Sequence, residues 1–175
     1  GPLVPSLLVN EFVYQEPAGA APLYALVKEV SGRTAVLQTL KDYTHQKNNV
    51  WGITARNREQ SFALNLLMDP DCDFVTLIGQ AGTGKTLLAL AAGLAQTLEA
   101  RRYSEIIVTR GTVPVGEDIG FLPGTEEEKM APWMGALEDN LEVLNRGDET
   151  AGEARPTASG WTPRTLAGTL PTAPT

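Results

Sequence analysis

The sequence predicts an α/β fold built around one strand–loop–helix–strand unit, and three observations carry that prediction. Phe74 to Ile78 is a short apolar run without polar alternation, the pattern of a strand covered on both faces. From Lys85 to about Ala100 the composition is rich in Ala and Leu, which favours helix, and the stretch is apolar on most sides, so it should be largely buried. Glu105 to Thr109 is a second apolar run of the buried-strand type. Strand, helix, strand in that order makes a βαβ unit with parallel strands. Two strands cannot complete a full sheet, so an exposed edge or a missing partner segment is expected.

The remaining elements follow in chain order. Residues 7–14, 22–30 and 34–40 are β-prone, and Ser31-Gly32-Arg33 suits a hairpin loop because Gly supplies positive φ at little cost. Residues 41–50 are polar and read as a connector. Residues 57–68 place Phe62, Ala63, Leu66 and Leu67 at helical spacing, and Asp69-Pro70 stops the run. Residues 110–124 form a loop punctuated by Gly and Pro. Residues 126–145 return to a helical pattern, acidic at its start where the helix dipole favours negative charge, with Pro132 as a kink. The last 25 residues hold six Thr, five Ala, four Pro and three Gly without any Ile, Val, Phe or Met, so burial cannot offset their ordering and disorder is expected. Three segments result: a β-rich stretch over 1–49, a core over 50–150 and a tail over 151–175.

Composition narrows the function. With 42% apolar and 20% charged residues in a chain of 175, most of the chain can form a packed core. The longest strictly apolar run, Leu87 to Ala95, is far too short to span a membrane, and no secretory leader pattern stands at the N-terminus. Cys72 is the single cysteine, which excludes an internal disulfide and a cysteine-based metal cage and fits a reducing, cytoplasmic setting. The net charge of −7 is concentrated in residues 111–150, which carry ten acidic and two basic groups. A uniformly basic nucleic-acid coat is therefore excluded, while local contacts to RNA or DNA are not. Because the chain starts at Gly1, it is expected to be a piece of something longer or a processed product.

Gly79-Gln80-Ala81-Gly82-Thr83-Gly84-Lys85-Thr86 satisfies G-x-x-x-x-G-K-S/T in full, between an apolar strand-like run and a helix. The glycines let the backbone curl so that successive N–H groups face phosphate oxygens, and the following helix adds its positive end at the same point. Lys85 should reach the β- and γ-phosphates, and Thr86 should offer its hydroxyl to Mg²⁺. Such a loop alone hydrolyses nothing. Hydrolysis also needs an Asp at the end of an apolar strand, and the one candidate strand after Thr86 ends in Thr109-Arg110, without a carboxylate.

The run from Val50 to Gln60 (VWGITARNREQ), the loop and its helix, and the stretch VPVGEDIGFLPGTEEEKMAPW together resemble the PhoH-like ATPase family, especially members with an N-terminal PIN nuclease domain. The match is continuous over about 50–145, and residues 7–49 are similar to the linker that precedes the ATPase core. The resemblance implies a RecA-like core related to superfamily 1 helicases, ATP with Mg²⁺ as cofactor, RNA as substrate and assembly into homo-oligomeric rings. It also makes Gln60, in Asn57-Arg58-Glu59-Gln60, similar to the helicase glutamine that reads adenine. Arg110 to Gly124 falls where related helicases contact a nucleic-acid strand; a structural loop is the equal alternative. The family continues with an apolar strand ending in an Asp-Glu pair, which is absent here, so truncation before that strand and an out-of-frame tail are expected. Two functional expectations result: an ATPase coupled to RNA remodelling, or a chain that binds Mg-ATP without turning it over.

Other candidates read as structural. Asp69, Asp71 and Asp73 suit a polar turn better than a cation site, and His45 a solvated connector. Cys72 between two aspartates has its thiolate disfavoured. Glu126 to Glu128 suit a helix start, and Trp51 and Trp133 suit packing better than base stacking.

Overall fold

The computed structural model describes residues 4–109, 135 and 138–144. The expectations for the loop 110–124, for Glu126 to Glu128, Pro132 and Trp133, and for the tail 151–175 fall outside these residues.

The N-terminal segment folds into an antiparallel three-stranded sheet in the order β1 (Phe12–Gln15), β2 (Leu23–Ser31), β3 (Thr34–Thr39). The hairpin expected at Ser31-Gly32-Arg33 forms: Ser31 pairs with Thr34, and Gly32 has φ +54°. A glycine at the first position of a two-residue loop matches the twist of the flanking strands. The first strand begins later than the β-prone run 7–14, because Asn10 at φ +68° turns the chain before Phe12 and leaves Leu8 and Val9 exposed.

Helix α1 (Arg58–Met68) starts where Asn57 caps it, the Asn57 side chain accepting from the Gln60 N–H at 2.8 Å. It carries the sheet on one side. Phe62 stacks on Phe12 with ring centroids 4.5 Å apart and takes the edge of Tyr24, while the Arg58 guanidinium lies 3.7 Å over the Tyr14 ring and pairs with Glu16. Tyr24 donates its hydroxyl to Glu16 at 2.8 Å, and that bond, with burial next, holds the Tyr24 pKa above its ordinary value. The connector 41–50 is tied to the same helix: Asn65 accepts from the Lys41 N–H at 3.0 Å and donates to the Lys41 carbonyl at 2.8 Å, and the Ser61 hydroxyl accepts from the Tyr43 N–H at 3.1 Å. In effect, the polar side chains of α1 act as a strand partner for the connector.

Between connector and helix the chain makes a tight reversal. Val50 and Ile53 exchange two backbone hydrogen bonds of 2.9 Å around Trp51-Gly52, both at positive φ. Positive φ at a tryptophan is costly, of order 1–2 kcal/mol. Burial of the ring in the main core offsets it, so Trp51 is a packing residue, as expected.

Helix α2 (Lys85–Leu94) continues into a π-helical turn over Ala95–Glu99, marked by the Ala100 N–H bonding the Ala95 carbonyl, and ends near the expected Ala100. The core lies between α1 and α2: Leu64 packs in one cluster with Leu88, Ala91, Leu94, Trp51 and Leu144, the last from a helical stretch over 138–144. Gln96 joins the helix ends. Its side-chain amide donates to the Leu67 carbonyl at 3.0 Å and accepts from Arg102 at 3.1 Å, satisfying a carbonyl left over in the last turn of α1.

The two parallel strands expected at Phe74–Ile78 and Glu105–Thr109 are a correction. Neither is hydrogen-bonded into a sheet among the described residues, whose single sheet is the antiparallel N-terminal one. Phe74 is 85% and Ile78 is 92% exposed, and Ile107 is 62% exposed. The physical reason is that a strand takes its hydrogen bonds from a neighbour, and these runs have none beside them. Only Ile106 reaches the core, lying so close to α2 that a Cβ at Gly93 would stand 3.2 Å from it.

Candidate nucleotide-binding site

Residues 79–86 form an exposed turn leading into α2, with Gly82 at φ +77° and Gly84 at φ +83°. Two positive-φ glycines let the backbone close into a cup that an L side chain would strain. Gly84 is also the N-cap of α2, so no side chain covers the first-turn N–H groups. A helix start in that state favours an anion.

Lys85 folds back over the loop. Its Nζ donates to the carbonyls of Gly79 at 2.8 Å and Gln80 at 2.7 Å and to the Thr83 hydroxyl at 3.2 Å, which accounts for all three of its donors. The Thr83 hydroxyl in turn donates to the Gln80 carbonyl at 2.8 Å. Ala81 and Gly82 sit exposed in the turn, and Thr86 is exposed in the first turn of α2.

Gln60 joins this group from α1. Its Nε2 donates to the Thr83 carbonyl at 3.1 Å and its Oε1 accepts from the Arg56 N–H at 2.8 Å. The structure thus gathers Gln60, Gly79, Gln80, Thr83, Gly84 and Lys85 in direct contact. Nearby, Glu59 is held below the usual carboxylate range, chiefly by its own backbone N–H and then by Arg58. That contribution to the first turn of α1 is present at neutral pH and is lost as pH falls through the lowered value.

Sequence reasoning did not foresee the bond from Gln60 to the loop, the Gln96 bridge or the turn at Trp51-Gly52. The last had a signal, since a residue–glycine pair between apolar Val50 and Ile53 suits a two-residue reversal. The aspartates behave as a polar turn: the Asp69 side chain accepts from the Asp71 N–H at 3.0 Å. His45 lies 3.5 Å from Asp42 in the connector.

As to a metal, no group of three or more His, Cys, Asp or Glu side chains stands together among the described residues. A single hydroxyl in the first turn of α2 fits Mg²⁺ only as it comes with a nucleotide, bound through phosphate oxygens and water. No helix of the described residues is long and apolar enough to cross a membrane.

Substituting Gly84 by Ala should weaken this site measurably. The new Cβ would meet the Gln60 amide at 3.2 Å while the backbone sits at φ +83°. A left-handed penalty of about 1–2 kcal/mol is enough to move the loop out of this conformation, read as shifted backbone amide resonances of Gly82 to Lys85; unchanged resonances would contradict the loop geometry.

A family match covers this stretch of the chain. The family model described as PhoH-like protein matches residues 52–154. Protein PhoH2 of Bacillus subtilis is 54% identical over 105 residues, covering 60% of this chain and 24% of its own length. Protein PhoH2 of Thermobispora bispora is 48% identical over 109 residues, covering 56% of this chain and 25% of its own. A PhoH-like protein of Mycobacterium leprae is 48% identical over 64 residues, covering 37% of this chain and 18% of its own. The chain thus spans about a quarter or less of the length of these relatives. No solved structure matches it. With a loop of this form between two packed helices and a family match over more than half its length, the chain belongs to the PhoH-like protein family.

Proposed function

We propose that residues 79–86 hold the phosphates of ATP together with Mg²⁺, and that the intact protein couples ATP turnover to RNA remodelling, assembled as a homo-oligomeric ring. The observation that supports the binding step best is the position of Lys85. An ammonium group already bent over the loop, with every donor on a loop oxygen, exchanges those oxygens for phosphate oxygens without moving the backbone. The glycine turn and the uncapped start of α2 supply N–H groups at the same place. Bound Mg²⁺ neutralises charge on the β- and γ-phosphates, and Thr86 is the hydroxyl placed to meet it. RNA and the ring come from the family resemblance. So does a RecA-like sheet, which would cover the exposed Phe74 and Ile78.

Two assays on the full chain test this. Titration with a fluorescent ATP analogue and Mg²⁺ should saturate, and phosphate release should follow and rise with added RNA. Saturable binding without phosphate release would favour the reading in which the chain binds Mg-ATP and does not hydrolyse it. No binding at all would reject both.

A further inference from the structure

The amide of Gln60 is used at both ends. Oε1 accepts from the Arg56 N–H at 2.8 Å, and Nε2 donates to the Thr83 carbonyl at 3.1 Å. The residue's own N–H is held as well, by the Asn57 side chain at 2.8 Å. A glutamine that reads a base needs its amide free to donate and accept on the base edge. Here each end would first have to release a backbone partner.

The bond to Thr83 has a consequence for the loop. In a trans peptide the C=O and the following N–H point in opposite directions. Holding the Thr83 carbonyl on Gln60 therefore aims the Gly84 N–H away from α1. Gly84 carries the positive φ that closes the turn, at +83°, and a Cβ there would stand 3.2 Å from the same Gln60 nitrogen. The same Gln60 nitrogen thus both holds the Thr83 carbonyl and closes the space beside Gly84. Gln60 is itself anchored through α1, whose first turn is pinned by Arg58 on Glu16 and Tyr14.

We propose that Gln60 is a positioning residue for the phosphate loop: it sets the orientation of the Thr83–Gly84 peptide, and with it the affinity for any triphosphate. The role rests on the reading of residues 79–86 as the phosphate site.

The test uses Gln60→Met, which keeps side-chain length and charge while removing both polar ends, with Gln60→Ala as a second variant. Backbone order parameters of Gly82 to Lys85, measured by NMR on the full chain, should fall in both variants while those of Phe62 to Leu67 stay as in the wild type. The dissociation constants for Mg-ATP, Mg-GTP and inorganic triphosphate with Mg²⁺ should all rise by a common factor, roughly tenfold for one lost ordering hydrogen bond. Loss of ATP affinity alone, with GTP and triphosphate unchanged, would overturn the proposal and make Gln60 a base reader. Unchanged loop order parameters would overturn it as well. If the wild-type chain bound none of the three, the phosphate-site reading would fall, and the order parameters would still decide whether Gln60 holds the loop.

Discussion

Lys85→Ala is expected to lower the affinity for Mg-ATP by about 100-fold and to leave the thermal midpoint nearly unchanged. A hydrogen bond to a charged group contributes about 1.5–3 kcal/mol, and two such losses at the lower end already exceed a hundredfold. Stability should hold because the oxygens that lose Lys85 belong to Gly79, Gln80 and Thr83, all of them exposed, so water replaces the ammonium without leaving a buried group unpaired. Titration of both proteins with fluorescent ATP, alongside thermal melts, checks this. An affinity within a factor of three of the wild type would contradict the role given to Lys85. A large fall in the melting midpoint would show that the lysine supports the fold instead.

Leu64→Ala should act through the fold and cost about 2–5 kcal/mol, the range for emptying a fully enclosed leucine site. Leu64 has no exposed surface and lies in the cluster that joins α1 to α2. That contact also sets the site, because α1 brings Gln60 and α2 begins with Lys85. A small domain holds only about 5–15 kcal/mol in total, so the variant should unfold at markedly lower urea and bind nucleotide more weakly in the same preparation. Leu66→Ala, at a half-buried position of the same helix, should cost clearly less. Equal urea midpoints for the two variants would contradict the assignment of the core to the α1–α2 interface.

These two residues illustrate what was legible in the sequence. Helix α1 could be read from Phe62, Ala63, Leu66 and Leu67 and its end from Asp69-Pro70, because a helix closes its hydrogen bonds within its own segment; the structure adds the Asn57 cap. The hairpin at Gly32 was legible for a similar reason, since a two-residue turn is a local event. The loop residues Gly79 to Thr86 were legible as a motif, and the structure adds how Lys85 and Thr83 occupy it. What the sequence misjudged is non-local. Phe74–Ile78 and Glu105–Thr109 have strand composition but no paired neighbour among the described residues, and composition does not report where a partner comes from. The bonds from Gln60 to Thr83 and from Gln96 to Leu67 span 23 and 29 residues, so spacing alone gives no sign of them.

The proposed phosphate cradle over residues 79–86 is tested by an NMR titration of the isotope-labelled chain with Mg-ATP. Saturable movement of the backbone amide resonances of Gly82, Gly84 and Lys85, reproduced by inorganic triphosphate with Mg²⁺, is the predicted result. Saturation that moves amides elsewhere and leaves these three in place would contradict it.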